Sequence, residues 1–309
     1  MNAIRRTLLT TAIVLLAAPL LYAQVTEPAV IKQLEKLRAL PIDQRSEAAI
    51  KLAGNIRTLP AGAKKVGLAD DLAHVVTAGD QGANALQAAA DALSQALAET
   101  PIPAKKDQPP EPYFELARLV RYENAHATLN DALFAQASHL LAGYDADVQK
   151  ADFTLSDLKG KKYTLSELRG KIVLINFWAT TCNACVQELP DLDIIYTHYQ
   201  SQGLVILTIT PEDYPVVTKF IRKWEYNPPV LIDADGNAAK QFHVDVEIVT
   251  SAATSVGKGK QPQVDTSSDV KGLPRTFVFD REGKLAAQAI DQRTQRQFFE
   301  MLAAGGLHP

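Results

Sequence analysis

Cys182 and Cys185 are the only cysteines in the 309 residues, and they lie three apart in Asn176-Phe177-Trp178-Ala179-Thr180-Thr181-Cys182-Asn183-Ala184-Cys185. An apolar run, Lys171-Ile172-Val173-Leu174-Ile175, leads into them and reads as a strand. Leu189, Leu192, Ile195, Tyr196 and Tyr199 follow at helical spacing. A C-x-x-C at a strand-to-helix junction restricts the chain to an α/β unit built around a redox pair. Each cysteine has no other possible partner within the chain, so a Cys182–Cys185 disulfide is expected. Its loop is too short to stabilise much, which points to chemistry rather than stapling.

The chemistry follows from the thiolate, which attacks disulfides where a thiol does not. Cys182 falls at the start of the helix, where free N–H groups and the helix dipole favour negative charge. It is the expected nucleophile, and Cys185, one turn further in, is the shielded partner that resolves the mixed disulfide. Glu188, three residues on, shares the helix face of Cys185. It either accepts the proton of Cys185 or is an ordinary solvated helix residue; spacing alone leaves both open. Pro190 lies inside the same helix and is expected to bend it.

The surrounding texture predicts two regions. Residues 24–147 read as an all-α domain, with apolar faces such as Ala49, Leu52, Ala53 and Ile56, or Leu86, Ala89, Ala90, Leu93 and Leu97. Leu40-Pro41 and Leu59-Pro60 mark helix breaks, and five prolines between Pro101 and Pro112 mark an extended loop. Beyond that, strands at 171–177, 204–210, 229–232, 275–280 and 284–290 alternate with helices at 182–200, 214–225 and 293–303. Two short strands, around 153–155 and 163–165, precede them. This pattern predicts a mixed central sheet with helices on its faces. Residues 245–271 fit neither texture and read as an insertion: a lid, a disordered stretch or a small added hairpin.

Residues 1–23 read as an export signal. Arg5 and Arg6 precede the apolar stretch Leu8–Leu21, and Leu21-Tyr22-Ala23 offers a cleavage site. An uncleaved anchor is the alternative, and membrane contact is then confined to this segment. The formal charge of −3 becomes −5 without Arg5 and Arg6. A balanced charge gives no reason to expect nucleic acid as a partner. With two thiols and the scattered histidines His74, His126, His139, His198, His243 and His308, the sequence offers no four-ligand metal site. No cofactor is expected.

The segment Phe177–Cys185, with Glu188 and Pro190 after it and Gly272-Leu273-Pro274-Arg275-Thr276-Phe277 downstream, resembles the TlpA/ResA group of thioredoxin-like reductases, relatives of AhpC/TSA proteins. The likeness covers about residues 148–309. It implies an α/β thioredoxin fold preceded by the all-α domain. It also implies a cis-Pro274 facing the cysteines, with the Leu273 backbone pairing with a substrate strand. Glu188 falls at the family's buried proton-handling glutamate, and Asn176 takes the place where thioredoxins keep a buried Asp. Trp178, Thr181, Asn183, Ala184, Leu273 and Pro274 are the implied substrate-contacting residues. The family usually carries Trp at the position of Thr181 and Pro at that of Ala184; both flank the nucleophile and bear on its potential.

The resemblance implies an exported, periplasmic thiol-disulfide oxidoreductase. Its partners would be protein thiols and disulfides, for example in cytochrome c maturation, with an upstream electron donor in the membrane. Two other readings compete: a non-enzymatic scaffold, and a copper-delivery protein in which His243 would be the added ligand. A peroxiredoxin is disfavoured because Ile175 and Ala179 stand where that chemistry needs Pro and Thr.

Overall fold

A computed structural model describes residues 25–37, 39–244 and 272–308. The expected export signal at 1–23 and the insertion at 245–271 lie outside the described residues. No helix among those described is long and apolar enough to cross a membrane.

Among the described residues, six helices come first: α1 (Glu27–Leu37), α2 (Ile42–Thr58), α3 (Ala63–Thr77), α4 (Ala83–Glu99), α5 (Glu111–Tyr122) and α6 (Ala132–Val148). Their breaks follow from local chemistry. Pro41 stands immediately before α2, and Gly62, at φ +154°, before α3. The Asp131 carboxylate accepts the first free N–H groups of α6, from Leu133 and Phe134. The buried face of α4 is mostly alanine, which lets α2 and α3 approach closely. One apolar core, including Leu52, Ile56, Leu72, Leu93, Leu97 and Leu116, serves all six helices.

The second half holds a short hairpin, β1 (Thr154–Ser156) and β2 (Lys162–Thr164). It continues through β3 (Ile172–Phe177), α7 (Asn183–Tyr199), β4 (Leu204–Thr210), α8 (Tyr214–Ile221), β5 (Val230–Ile232), α9 (Asn237–Gln241), β6 (Arg275–Phe279), β7 (Leu285–Ile290) and α10 (Gln295–Ala304). The five-stranded sheet has the order β5-β4-β3-β6-β7, with β3 parallel to β4 and antiparallel to β6. This is the expected thioredoxin arrangement. The predicted helix at 214–225 stops at Ile221, and Glu225 adopts a left-handed φ of 48° that no helix continues through.

β3 is buried along its whole length, and its alternation divides the core. Val173, Ile175 and Phe177 face one apolar cluster; Ile172 and Leu174 face another, which includes Leu192, Ile195, Phe298 and Leu302. In the first cluster the Phe242 ring lies 5.3 Å from Phe177 and 5.0 Å from Phe277, measured between centroids. Phe242→Ala should therefore cost about 3–5 kcal/mol, read from chemical denaturation; a loss under about 1 kcal/mol would show that this cluster does not hold the sheet.

Candidate active site

The cysteines sit at the end of the central strand. After Phe177, the Trp178 N–H donates to Ile209 O at 3.0 Å and extends the ladder with β4 by one residue. The chain then turns, and the Glu212 carboxylate pins the turn by accepting from the Thr180 N–H and hydroxyl, each at 2.6 Å. Cys182 is the cap residue of α7. Its Sγ accepts from the Cys185 N–H at 3.2 Å, so the sulfur occupies the place a capping oxygen usually takes. The two cysteines are joined in a disulfide.

Both sulfur-bearing residues are fully buried, at 0% exposure. Cys182 is the expected nucleophile and Cys185 the expected shielded partner, yet burial does not distinguish them. Cys182 lies in the same apolar cluster as Trp178, Ala179, Cys185 and Leu273, and the residues that reach solvent are Thr181, Asn183 and Gly272. Ala184 is half-buried. Trp178, expected to contact substrate, is also fully buried, with its ring 5.7 Å from Phe220. An indole packed that way underpins the turn rather than facing a partner.

Leu273 and Pro274 are buried, and the peptide bond between them is cis. Pro274 directly precedes β6, whose first residue, Arg275, is in register with Phe177. That register brings the proline to the end of β3 where the cysteine turn begins.

Glu188 is not a solvated helix residue: it is fully buried. Its carboxylate accepts from Asn176 Nδ2 at 3.2 Å and from the Arg293 N–H. Burial pushes it up to about 8, against the opposing pull of those two hydrogen bonds and of the Arg293 guanidinium. Asn176 lies on the even face of β3, and register places Thr208 of β4 and Thr276 of β6 on either side of it. All three are fully buried, making a polar row across an otherwise apolar sheet. Asn176 Nδ2 also donates to Thr276 Oγ1 at 3.0 Å, while its Oδ1 has no partner. Asn176 and Glu188 were legible in the sequence. Thr208, Thr276 and Arg293 were not, because only strand register and a loop return bring them here.

His243 pairs with Asp147 at 3.1 Å and stacks on Tyr144 at 4.3 Å between ring centroids. Among the described residues no cluster of His, Cys, Asp or Glu is arranged to hold a metal.

Residues 148–288 match the AhpC/TSA family. The chain is 26% identical over 176 residues to the thiol-disulfide oxidoreductase ResA of Bacillus cereus, covering 57% of this chain and 84% of that protein. It is 29% identical over 176 residues to ResA of Bacillus subtilis, covering 57% and 82% of the two chains. It is 33% identical over 135 residues to ResA of Geobacillus thermodenitrificans, covering 43% and 63%.

Proposed function

We propose that this chain is a ResA-like thiol-disulfide oxidoreductase whose redox domain spans residues 148–309, that it is exported, and that it reduces disulfides in extracytoplasmic proteins, such as those of cytochrome c maturation. The observation that carries this reading is a cysteine pair capping a helix, with a buried carboxyl group one turn further in. The Arg5-Arg6 segment and the apolar stretch after it support export.

In the reduced protein the Cys182 thiolate attacks one sulfur of the substrate disulfide. The other substrate sulfur leaves as a thiolate and takes up a proton. Cys185 then passes its proton to Glu188 in its ionised fraction and attacks Cys182 Sγ; the second substrate sulfur leaves as a thiolate and takes that proton from Glu188. The substrate gains two electrons and two protons, and this chain becomes the disulfide. A membrane-held dithiol donor returns both. Exposed Thr181 and Asn183, half-buried Ala184 and the Leu273 backbone beside exposed Gly272 are the surface offered to substrate, with Pro274 shaping it; Trp178 supports that surface from beneath.

The potential of the Cys182–Cys185 couple tests the direction. A value near the roughly −270 mV of thioredoxin is expected by equilibration with a thiol redox buffer; a value near the −120 mV or so of strong oxidants would overturn the reductase reading.

A further inference from the structure

Asp291, Gln292 and Arg293, which follow β7 and precede the cap residue Thr294 of α10, bond to both halves of the molecule at once. On the sheet side, the Asp291 N–H donates to Pro274 O at 3.1 Å. Gln292 Nε2 donates to Gln187 Oε1 at 3.1 Å, and the Arg293 N–H donates to Glu188 Oε1. On the helical side, Thr77 Oγ1 donates to Asp291 Oδ2 at 2.6 Å, and the Gly79 N–H donates to Gln292 O at 2.8 Å. The Arg293 guanidinium donates to Thr77 O at 2.7 Å and pairs with Glu123. Each residue of the loop thus touches the redox neighbourhood with one group and the six-helix half with another.

The grip is a strong one. Thr77 and Arg293 are each 4% exposed. A buried guanidinium that loses its carboxylate partner is left as an uncompensated charge, so Arg293 and Glu123 stay together. Asp291 holds a left-handed φ of 69°, which a free loop would relax. The loop's position is therefore set from the helical half as much as from the sheet.

We propose that the helical half is part of the redox machinery: through Arg293, a positioning residue, it clamps the 291–293 loop so that the loop's N–H stays on Glu188 and sets how readily Glu188 exchanges the proton of Cys185. This rests on the reading of Glu188 as the proton carrier. The ionisable groups facing Glu188 are Arg293 and Asp291 from the loop, Tyr226 from the segment before β5 and, once reduced, Cys185 on its own helix. Asn176 contributes only a neutral donor. Arg293 favours the carboxylate twice, by its backbone N–H and by its charge, while Asp291 opposes it.

The test uses the full-length protein, oxidised for the infrared titration and reduced for the turnover profile. Arg293→Met combined with Glu123→Gln removes the clamp without stranding a buried charge. Thr77→Val alters no charge and carries the test alone if the double variant does not fold; Arg293→Lys is the conservative control. The infrared carboxyl band of Glu188, assigned by its loss in Glu188→Gln, gives the titration midpoint, and the pH profile of disulfide reduction is measured alongside. The midpoint should move upward by about one pH unit in the double variant and by less in Thr77→Val. It should return toward the parent in Arg293→Lys, and the break in the profile should move with it. A lower melting temperature with midpoint and profile unmoved would make the helical half a structural neighbour only and overturn the proposal. The Glu188→Gln arm separates the two failures: an unmoved profile there defeats Glu188 as proton carrier, and an unmoved midpoint in the clamp variants defeats the present proposal alone.

Discussion

Cys182→Ser should lower disulfide-reduction turnover by about a thousandfold or more, because the attacking sulfur has no substitute in a chain with two cysteines. Cys185→Ser should behave differently. It leaves the nucleophile at the helix start but removes the resolving thiol, so the mixed disulfide with a protein substrate accumulates and is seen as a covalent adduct on a non-reducing gel. The asymmetry tests the assigned order of the two residues, since both are equally buried in the oxidised form. An adduct with Cys182→Ser and none with Cys185→Ser would reverse the roles. Retention of full cellular function by Cys182→Ser would favour the scaffold reading over exchange chemistry.

Glu188→Gln should slow the resolving step about a hundredfold near neutral pH, because general acid–base assistance of this kind contributes at least that much. The parent's pH profile should break near 8, where Glu188 titrates, and the variant's should not. Stability moves the other way. The folded protein keeps a proton on Glu188 that the unfolded chain releases above the ordinary glutamate value of 4.5. The folded state therefore binds more protons between 4.5 and about 8, and stability from this group falls as pH rises through that window. Below it the contribution is fully present; above it the loss is complete. Glu188→Gln removes the dependence. The variant should exceed the parent in stability above pH 8 by up to a few kcal/mol in urea denaturation. A parent curve that is flat across the window, or a variant no more stable at high pH, would mean that Glu188 is ionised in the folded protein.

The legible part of the site was the part that local sequence encodes. The C-x-x-C, the helix start that holds Cys182 and the i, i+3 placement of Glu188 depend on one strand, one turn and one helix. Their relation survives whatever the rest of the chain does. The strand pattern likewise gave β3, β4 and β7 to within a residue, because each is a run of apolar residues bounded by charged or glycine-bearing turns. Accessibility was the part misread. Trp178 lies three residues before exposed Thr181, and no sequence period says which residues of the turn face inward; packing against Phe220 decides it for Trp178.

The sequence by itself determined that this chain carries a dithiol pair at a helix start with a carboxyl group one turn away, since those spacings are covalent facts. Tertiary structure decided whether the carboxyl is an acid or a spectator. Glu188 is raised because the sheet and the 291–293 loop exclude water from it, and desolvation is a property of everything packed around a group. It also decided that the helical half reaches that group, through residues more than 200 positions away from Thr77 in the chain.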